Sequence, residues 1–361
     1  MKIFSFGSSL TSGFWNGAAT YYRGIYRNLH LLGYDITFAQ PDIYDRRQHQ
    51  DCPQIAYAKV LNYVPGEQTA AMLQQAAEAD LVVKHSGVGA EDELLERAVI
   101  ELKDGRTRVV FWDVDAPATL ARVEDDRDDP FRALIPRYDF VLTYGGGDAV
   151  VTHYQRLGAK ACFPIYNGLD PQTHHPVPPD PAFVCDLAFV GHRLPDRERR
   201  VDEFFFAAAE YAPEMKFLLG GEGWRGKPMP RNVRWIGHVA ANEHNPVNCS
   251  ARAVLNVNRE SMARVGFSPP TRVFEAAGAA ACVITDAWAG IEQFFAPGEE
   301  ILVARSAADV VHLLHNVDEH EARAVGGRMR VRALRDHSYA ARAAEVDAIL
   351  RRQVLMAEAV A

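Results

Sequence analysis

The stretch YNGLDPQTHHPVPPDPAF, Tyr166 to Phe183, decides how the 361-residue chain divides. Its prolines cannot continue a helix or donate to a sheet ladder, and its turn formers cluster, so it reads as a linker. Before it, short apolar runs alternate with helical stretches. Candidate strands are Lys2–Phe6, Asp35–Ala39, Leu81–Lys84, Arg108–Trp112, Phe140–Thr143 and Ala161–Pro164, with helices expected at Ala18–Leu32, Thr69–Ala79, Ala90–Lys103 and Asp148–Leu157. After it, the alternation restarts at CDLAFVG, Cys185 to Gly191. It continues through Lys216–Leu219, Val233–Ile236, Ala253–Val257, Cys282–Thr285 and Ile301–Val303, and two helices, about Glu319–Arg335 and Ser338–Ala359, close the chain. Such β-α alternation implies parallel sheets covered on both faces.

The expected class is therefore α/β, with two doubly wound, Rossmann-like domains over residues 1–170 and 184–335. Residues 336–361 are expected to form a C-terminal helix packing back towards the first domain. Gln40–Gln68 has weak periodicity and reads as a loop with short helical pieces. Ligands of open parallel sheets bind beyond the carboxyl ends of the strands, so two such sheets facing across a cleft would carry their chemistry in the loops that follow strands.

Composition narrows the classes. A 48% hydrophobic, 24% charged chain is globular rather than disordered, and its net charge of −8 argues against a nucleic-acid partner. No apolar run reaches the length of a membrane span, and Met1-Lys2 leads directly into a strand, so no integral membrane segment and a cytoplasmic location are expected. The cysteines, Cys52, Cys162, Cys185, Cys249 and Cys282, are scattered and lack C-x-x-C spacing; they read as reduced thiols, not as a disulfide framework or zinc site. His174 and His175 in the linker read as turn residues, since no carboxylate lies at metal-ligand spacing. No metal and no cofactor are expected.

Four loops following strands, and one helix, carry candidate chemistry. In GSSLTSGFWNGAATYYRG, Gly7 to Gly24, the small residues around Gly13, Asn16 and Gly17 would let backbone N–H groups approach a phosphate or sugar. The loop is neither a dinucleotide fingerprint nor a P-loop. LVVKHSGVG places His85 at a strand end. VVFWDVDAPATL places Asp113 and Asp115 after a strand, although Asp115 could simply cap the helix beginning near Pro117. FVGHRLPDRERRVDEFF crowds Arg193, Arg197, Arg199 and Arg200 into a helix start, where the dipole disfavours cations unless an anion compensates. Pairing with Glu198, Asp202 and Glu203 would account for Arg199 and Arg200 better than for the other two. In FSPPTRVFEAAGAAACVITDAW, Phe267 to Trp288, Ser268 suits an N-cap, and Arg272 and Glu275 share one face in the opening of an apolar helix. That end carries free N–H groups suited to a phosphate, although Glu275 could also only complement the dipole and pair with Arg272.

Together these segments resemble GT-B glycosyltransferases. YNGLD is similar to the N-G-x-D turn that ends their first domain, and FVGHRLPDR to their G-R-x-x-x-x-K element, with Arg197 where the lysine stands. FLLGGEG, Phe217 to Gly223, followed by NVRWIGHV, Asn232 to Val239, resembles their G-x-G … N-V-x-x-x-G pair. RVFEAAGAAACVITDAWAGIEQFFAPGEEILV, Arg272 to Val303, resembles the C-terminal block of the CgeB-like (spore maturation) branch of the group 1 enzymes.

The resemblance implies transfer of a sugar from a UDP- or GDP-type donor to an acceptor the sequence does not name, without metal and with retention favoured. It assigns the ribose to Glu275, with Gly221 and His238 on the nucleoside side. The diphosphate falls to Arg193, Arg197 and Arg272, with Gly13 and Gly17. Asn16, Asp115, Phe267 and Ser268 fall on the acceptor or sugar side. Asp113 is the first candidate base and His85 the second. Two departures stand out. Phe267 occupies the position of a family glutamate that faces the transferred sugar, and His192 that of the first arginine of the basic pair. A sugar-nucleotide epimerase of the same fold, or a non-catalytic nucleotide-sugar binder, are the alternatives.

Overall fold

The computed structural model describes residues 1–14 and 16–358, so the expected end of the last helix at Ala359 lies outside the described residues. The chain forms two units. The first comprises Met1–Asn167 together with the closing helix Tyr339–Glu358, and the second Gly168–Ser338.

The first unit is built on seven strands: β1 (Lys2–Phe6), β2 (Asp35–Pro41), β3 (Lys59–Tyr63), β4 (Leu81–His85), β5 (Arg108–Asp113), β6 (Phe140–Thr143) and β7 (Cys162–Pro164). All pair in parallel, in the order β3-β2-β1-β4-β5-β6-β7. The order reverses between β1 and β4, where Ile3 stands opposite Ile36 on one side and Leu81 on the other. Nearly continuous burial of β4 and β5 reflects helices on both faces. The closing helix presents Tyr339, Ala343, Val346 and Leu350 at helical spacing, and these join Tyr21, Ile25 and Leu29 of the helix Ala19–Leu31 in one core.

β3 corrects the expectation of a loop across Gln40–Gln68. KVLNY lies at the sheet edge with only Tyr63 fully buried, so it shows neither the apolar run of a central strand nor a clean alternation.

The second unit carries β8 (Cys185–Val190), β9 (Phe217–Gly220), β10 (Val233–Trp235), β11 (Ala251–Asn256), β12 (Val283–Asp286) and β13 (Leu302–Ala304). They too are all parallel, in the order β10-β9-β8-β11-β12-β13, with the reversal between β8 and β11. Leu187, Phe189, Phe217, Leu219, Leu255 and Ile284 fill the core on one face. The proline-rich stretch after Asn167 belongs to this unit rather than hanging free. Leu169 N–H donates to the His337 carbonyl at 2.7 Å, Asp180 N–H to the Ser250 hydroxyl at 2.8 Å, and His174 is only 9% exposed.

Candidate functional site

The reversal point of the second sheet lies beyond the carboxyl ends of β8 and β11, the place where parallel sheets hold ligands. β8 delivers Gly191, and the helix Pro195–Val201, opened by a proline at its first turn, carries Arg197. The helix Thr271–Gly278, which precedes β12, carries Arg272 and Glu275.

Arg197 and Arg272 converge. A Cβ on Gly191 would stand 2.9 Å from one terminal nitrogen of Arg197 and 3.0 Å from one of Arg272, so both guanidinium tips close on this glycine and a side chain there would have to push them aside. Arg272 donates from Nε to the Val190 carbonyl (2.7 Å) and from Nη1 to Asn256 Oδ1 (3.4 Å). Arg197 donates from Nη2 to the His192 carbonyl (2.5 Å), and its buried Nε has no partner among the described residues. Burial, then the like charges of Arg272 and Arg259, pulls Arg197 down to about 9, still protonated at neutral pH. Burial also lowers Arg272, with Glu275 and Asp286 opposing it. Two guanidinium groups held side by side on neutral hydrogen-bond acceptors can receive an anion.

The floor beneath them is polar. Asn256, fully buried at the end of β11, accepts from Arg272 and donates to Asn258 Oδ1 (3.3 Å) and Thr285 Oγ1 (3.0 Å). Asn258 Nδ2 is buried without a partner among the described residues. Asp286 is fully buried, receives Arg200 at 2.6 Å, and has its carboxyl raised chiefly by burial. Sequence reasoning missed Asn256 and Asn258. The available signal was LNVN, Leu255 to Asn258, which puts two amides at the end of a buried strand.

The glycine loops close against this edge. Gly221 has φ +115°, and a Cβ there would meet the Gly191 carbonyl at 2.3 Å, so neither handedness nor space admits a side chain. Trp224 Nε1 donates to Gly191 O (2.8 Å) and Trp235 Nε1 to Gly221 O (2.9 Å), fixing both turns. His238 follows, exposed. Glu275 is partly buried, with His244 Nδ1 3.9 Å from its carboxylate.

Other expected site residues sit differently. Arg193 pairs with Glu198 at 2.7 Å, and the cation beside Arg197 at Gly191 is Arg272. Arg199 pairs with Glu260, and Arg200 with Glu260 and Asp286, not with the carboxylates adjacent in sequence. Ser268 does not cap the following helix. Its hydroxyl donates to the Gly266 carbonyl (2.9 Å), and Pro270 occupies the cap. Phe267 adopts φ +48°, its amide bound to the Ala289 carbonyl (2.7 Å), and its ring covers Gly290.

Gly13, Gly17, Asn16, His85, Asp113 and Asp115 lie in the first unit. The Gly13 N–H is taken by Asp51 (2.9 Å), while Gly17 faces open space. Asn16 organises its loop, accepting from Ser8 and donating to the carbonyls of Ser9 and Ser12. Asp113 is fully buried, and donors fill it: Ser86, Thr119 and the Asp115 N–H on Oδ1, and Tyr154 on Oδ2 at 2.5 Å. That is a strand-to-helix anchor, not an exposed base. His85 is equally buried, 2.6 Å from the Tyr26 hydroxyl, and burial lowers it well below the usual histidine range. Asp115 occupies the N-cap of the helix Ala116–Asp125 without a capping side-chain bond.

Residues 197–348 match the family model described as "Glycosyl transferase-like". The fold matches that of a sucrose-phosphate synthase from Thermosynechococcus elongatus (TM-score 0.71, 14% identity, 99% of this chain and 100% of that one). It also matches HepE of Anabaena, solved in complex with UDP and glucose (TM-score 0.68, 14% identity, 98% and 100%). AviGT4, a glycosyltransferase involved in avilamycin A biosynthesis, matches at TM-score 0.63 and 16% identity over 98% of each chain. The architecture is thus GT-B. No curated protein sequence matches the chain. No helix among the described residues is long and apolar enough to cross a membrane.

Proposed function

We propose that the protein is a glycosyltransferase that binds a nucleoside-diphosphate sugar on its second unit and passes the sugar to an acceptor hydroxyl. The observation that carries this reading is the convergence of Arg197 and Arg272 on Gly191 at the sheet's reversal point. Two cations resting on neutral acceptors suit a diphosphate, and the helix Thr271–Gly278 begins beside them with no side chain capping its first turn. As the bond between the anomeric carbon and the phosphate oxygen breaks, its electron pair goes to the diphosphate, and the fixed guanidinium groups stabilise the charge that develops there. The acceptor oxygen forms the new bond to the anomeric carbon, and its proton passes to the departing diphosphate oxygen.

Glu275 is the group for the ribose diol, since a carboxylate accepts from two hydroxyls. A uridine donor is favoured over a guanosine one because HepE, of the same fold, was solved with UDP and glucose. The two arginines support metal independence, and the resemblance supports retention, which in this fold needs no side-chain nucleophile. The order of motifs resembles that of the CgeB-like branch and supports membership of it.

A thermal-shift panel of UDP, GDP and their sugars tests the reading. UDP or GDP should stabilise the chain, a matching nucleotide sugar should be slowly hydrolysed, and Glu275→Ala should remove most of the stabilisation. A panel with no shift would contradict it.

A further inference from the structure

Behind Glu275 lies a second constellation. His174, His244 and Glu275 come from three separate segments of the second unit: the loop after Asp170, the first residue of the helix His244–Ser250, and the middle of the helix Thr271–Gly278. Their ligand atoms all lie within 4.8 Å of one another. The segments are tied together. Asn245 Nδ2 donates to the Thr173 carbonyl at 2.9 Å, and a Cβ on Gly278 would meet the His174 carbonyl at 2.6 Å, so both helices are seated on the His174 loop. The Thr173 hydroxyl lies 3.1 Å from His174 Nδ1, an outer contact of the kind that fixes a ligand ring. Arg272 does not occupy the Glu275 carboxylate, because its guanidinium is directed at Val190 and Asn256.

We propose that His174, His244 and Glu275 form a zinc site that competes with nucleotide for Glu275. Two imidazoles and one carboxylate are a donor set for Zn²⁺, which takes three protein ligands and leaves a fourth position open. Mg²⁺ and Ca²⁺ prefer oxygen cages and gain little from imidazole. Tetrahedral bonds of about 2.0–2.1 Å need ligand atoms about 3.4 Å apart, so side-chain rotation must draw the three together. The competition rests on Glu275 serving the ribose, as proposed above; zinc binding itself does not.

The test uses the full chain, stripped with EDTA and dialysed, titrated with ZnCl₂ by calorimetry and with Co²⁺ by visible absorption. The expected result is one zinc per chain, a tetrahedral Co²⁺ spectrum without a thiolate charge-transfer band, and loss of affinity of about tenfold or more in each of His244→Ala and His174→Gln. His244 is partly exposed, so its replacement spares the core. Zinc should weaken UDP binding in the wild type and not in His244→Ala. Stoichiometric binding that survives both substitutions, a thiolate band, or no binding at micromolar zinc would overturn the site. UDP binding without zinc binding defeats this inference and leaves the transferase reading intact, whereas zinc binding without UDP binding does the reverse.

Discussion

Arg197 and Arg272 lie over the same ring, with their guanidinium carbons 5.7 and 5.3 Å from the centroid of Phe189. The aromatic face attracts each cation and the carbonyls of His192 and Val190 accept from them, but none of these removes the repulsion between them. Like charges gathered before a ligand arrives are pre-organised for it, because the cost of assembly is met during folding.

Arg193 is excluded from that pair by Glu198, to which it is bound at the surface. Its charge is already met by Glu198, so Arg193→Met should leave UDP affinity essentially unchanged. A loss as large as that of an Arg197 variant would mean that Arg193 swings inward when nucleotide binds.

Asp113→Ala should mainly cost stability. It would leave the Ser86, Thr119 and Tyr154 hydroxyls and the Asp115 N–H facing a buried gap, at about 1–3 kcal/mol for an unmet donor. Urea unfolding reads this directly. Unchanged stability with turnover reduced about 10²–10⁴-fold would instead make Asp113 the base.

Activity should survive EDTA, because the diphosphate charge is met by guanidinium groups and helix N–H groups. Stripping zinc from the His174 site should leave activity unchanged or raise it. Abolition by EDTA with rescue by Mn²⁺ would transfer the role of Arg197 and Arg272 to a metal.

The central strands were legible because apolar runs between turn signals leave few choices, and their ends fell within a residue or two of those read from the sequence. β3 was not, since an edge strand buries too little to show a period. The placement of Arg272 and Glu275 on one helical face was visible as charge in an apolar helix. Which of Arg193 and Arg197 points inward was not, because Glu198 can take either and only the packing of Phe189 and Gly191 decides. His174, His244 and Glu275 lie far apart in the chain and meet only through the fold, so no local spacing announces them. Asp113 read as a catalytic carboxylate because its position at a strand end is the same whether it faces ligand or anchors the turn.

Calorimetric titration of UDP into the wild type, Arg197→Met and Arg272→Met tests the paired-cation site most directly. Each substitution keeps an unbranched side chain and removes one charge, and apo thermal stability should not fall in Arg197→Met, which relieves a repulsion. A charged hydrogen bond is worth about 1.5–3 kcal/mol, so each variant should bind UDP about tenfold to hundredfold more weakly. UDP bound by both variants as tightly as by the wild type would contradict the account.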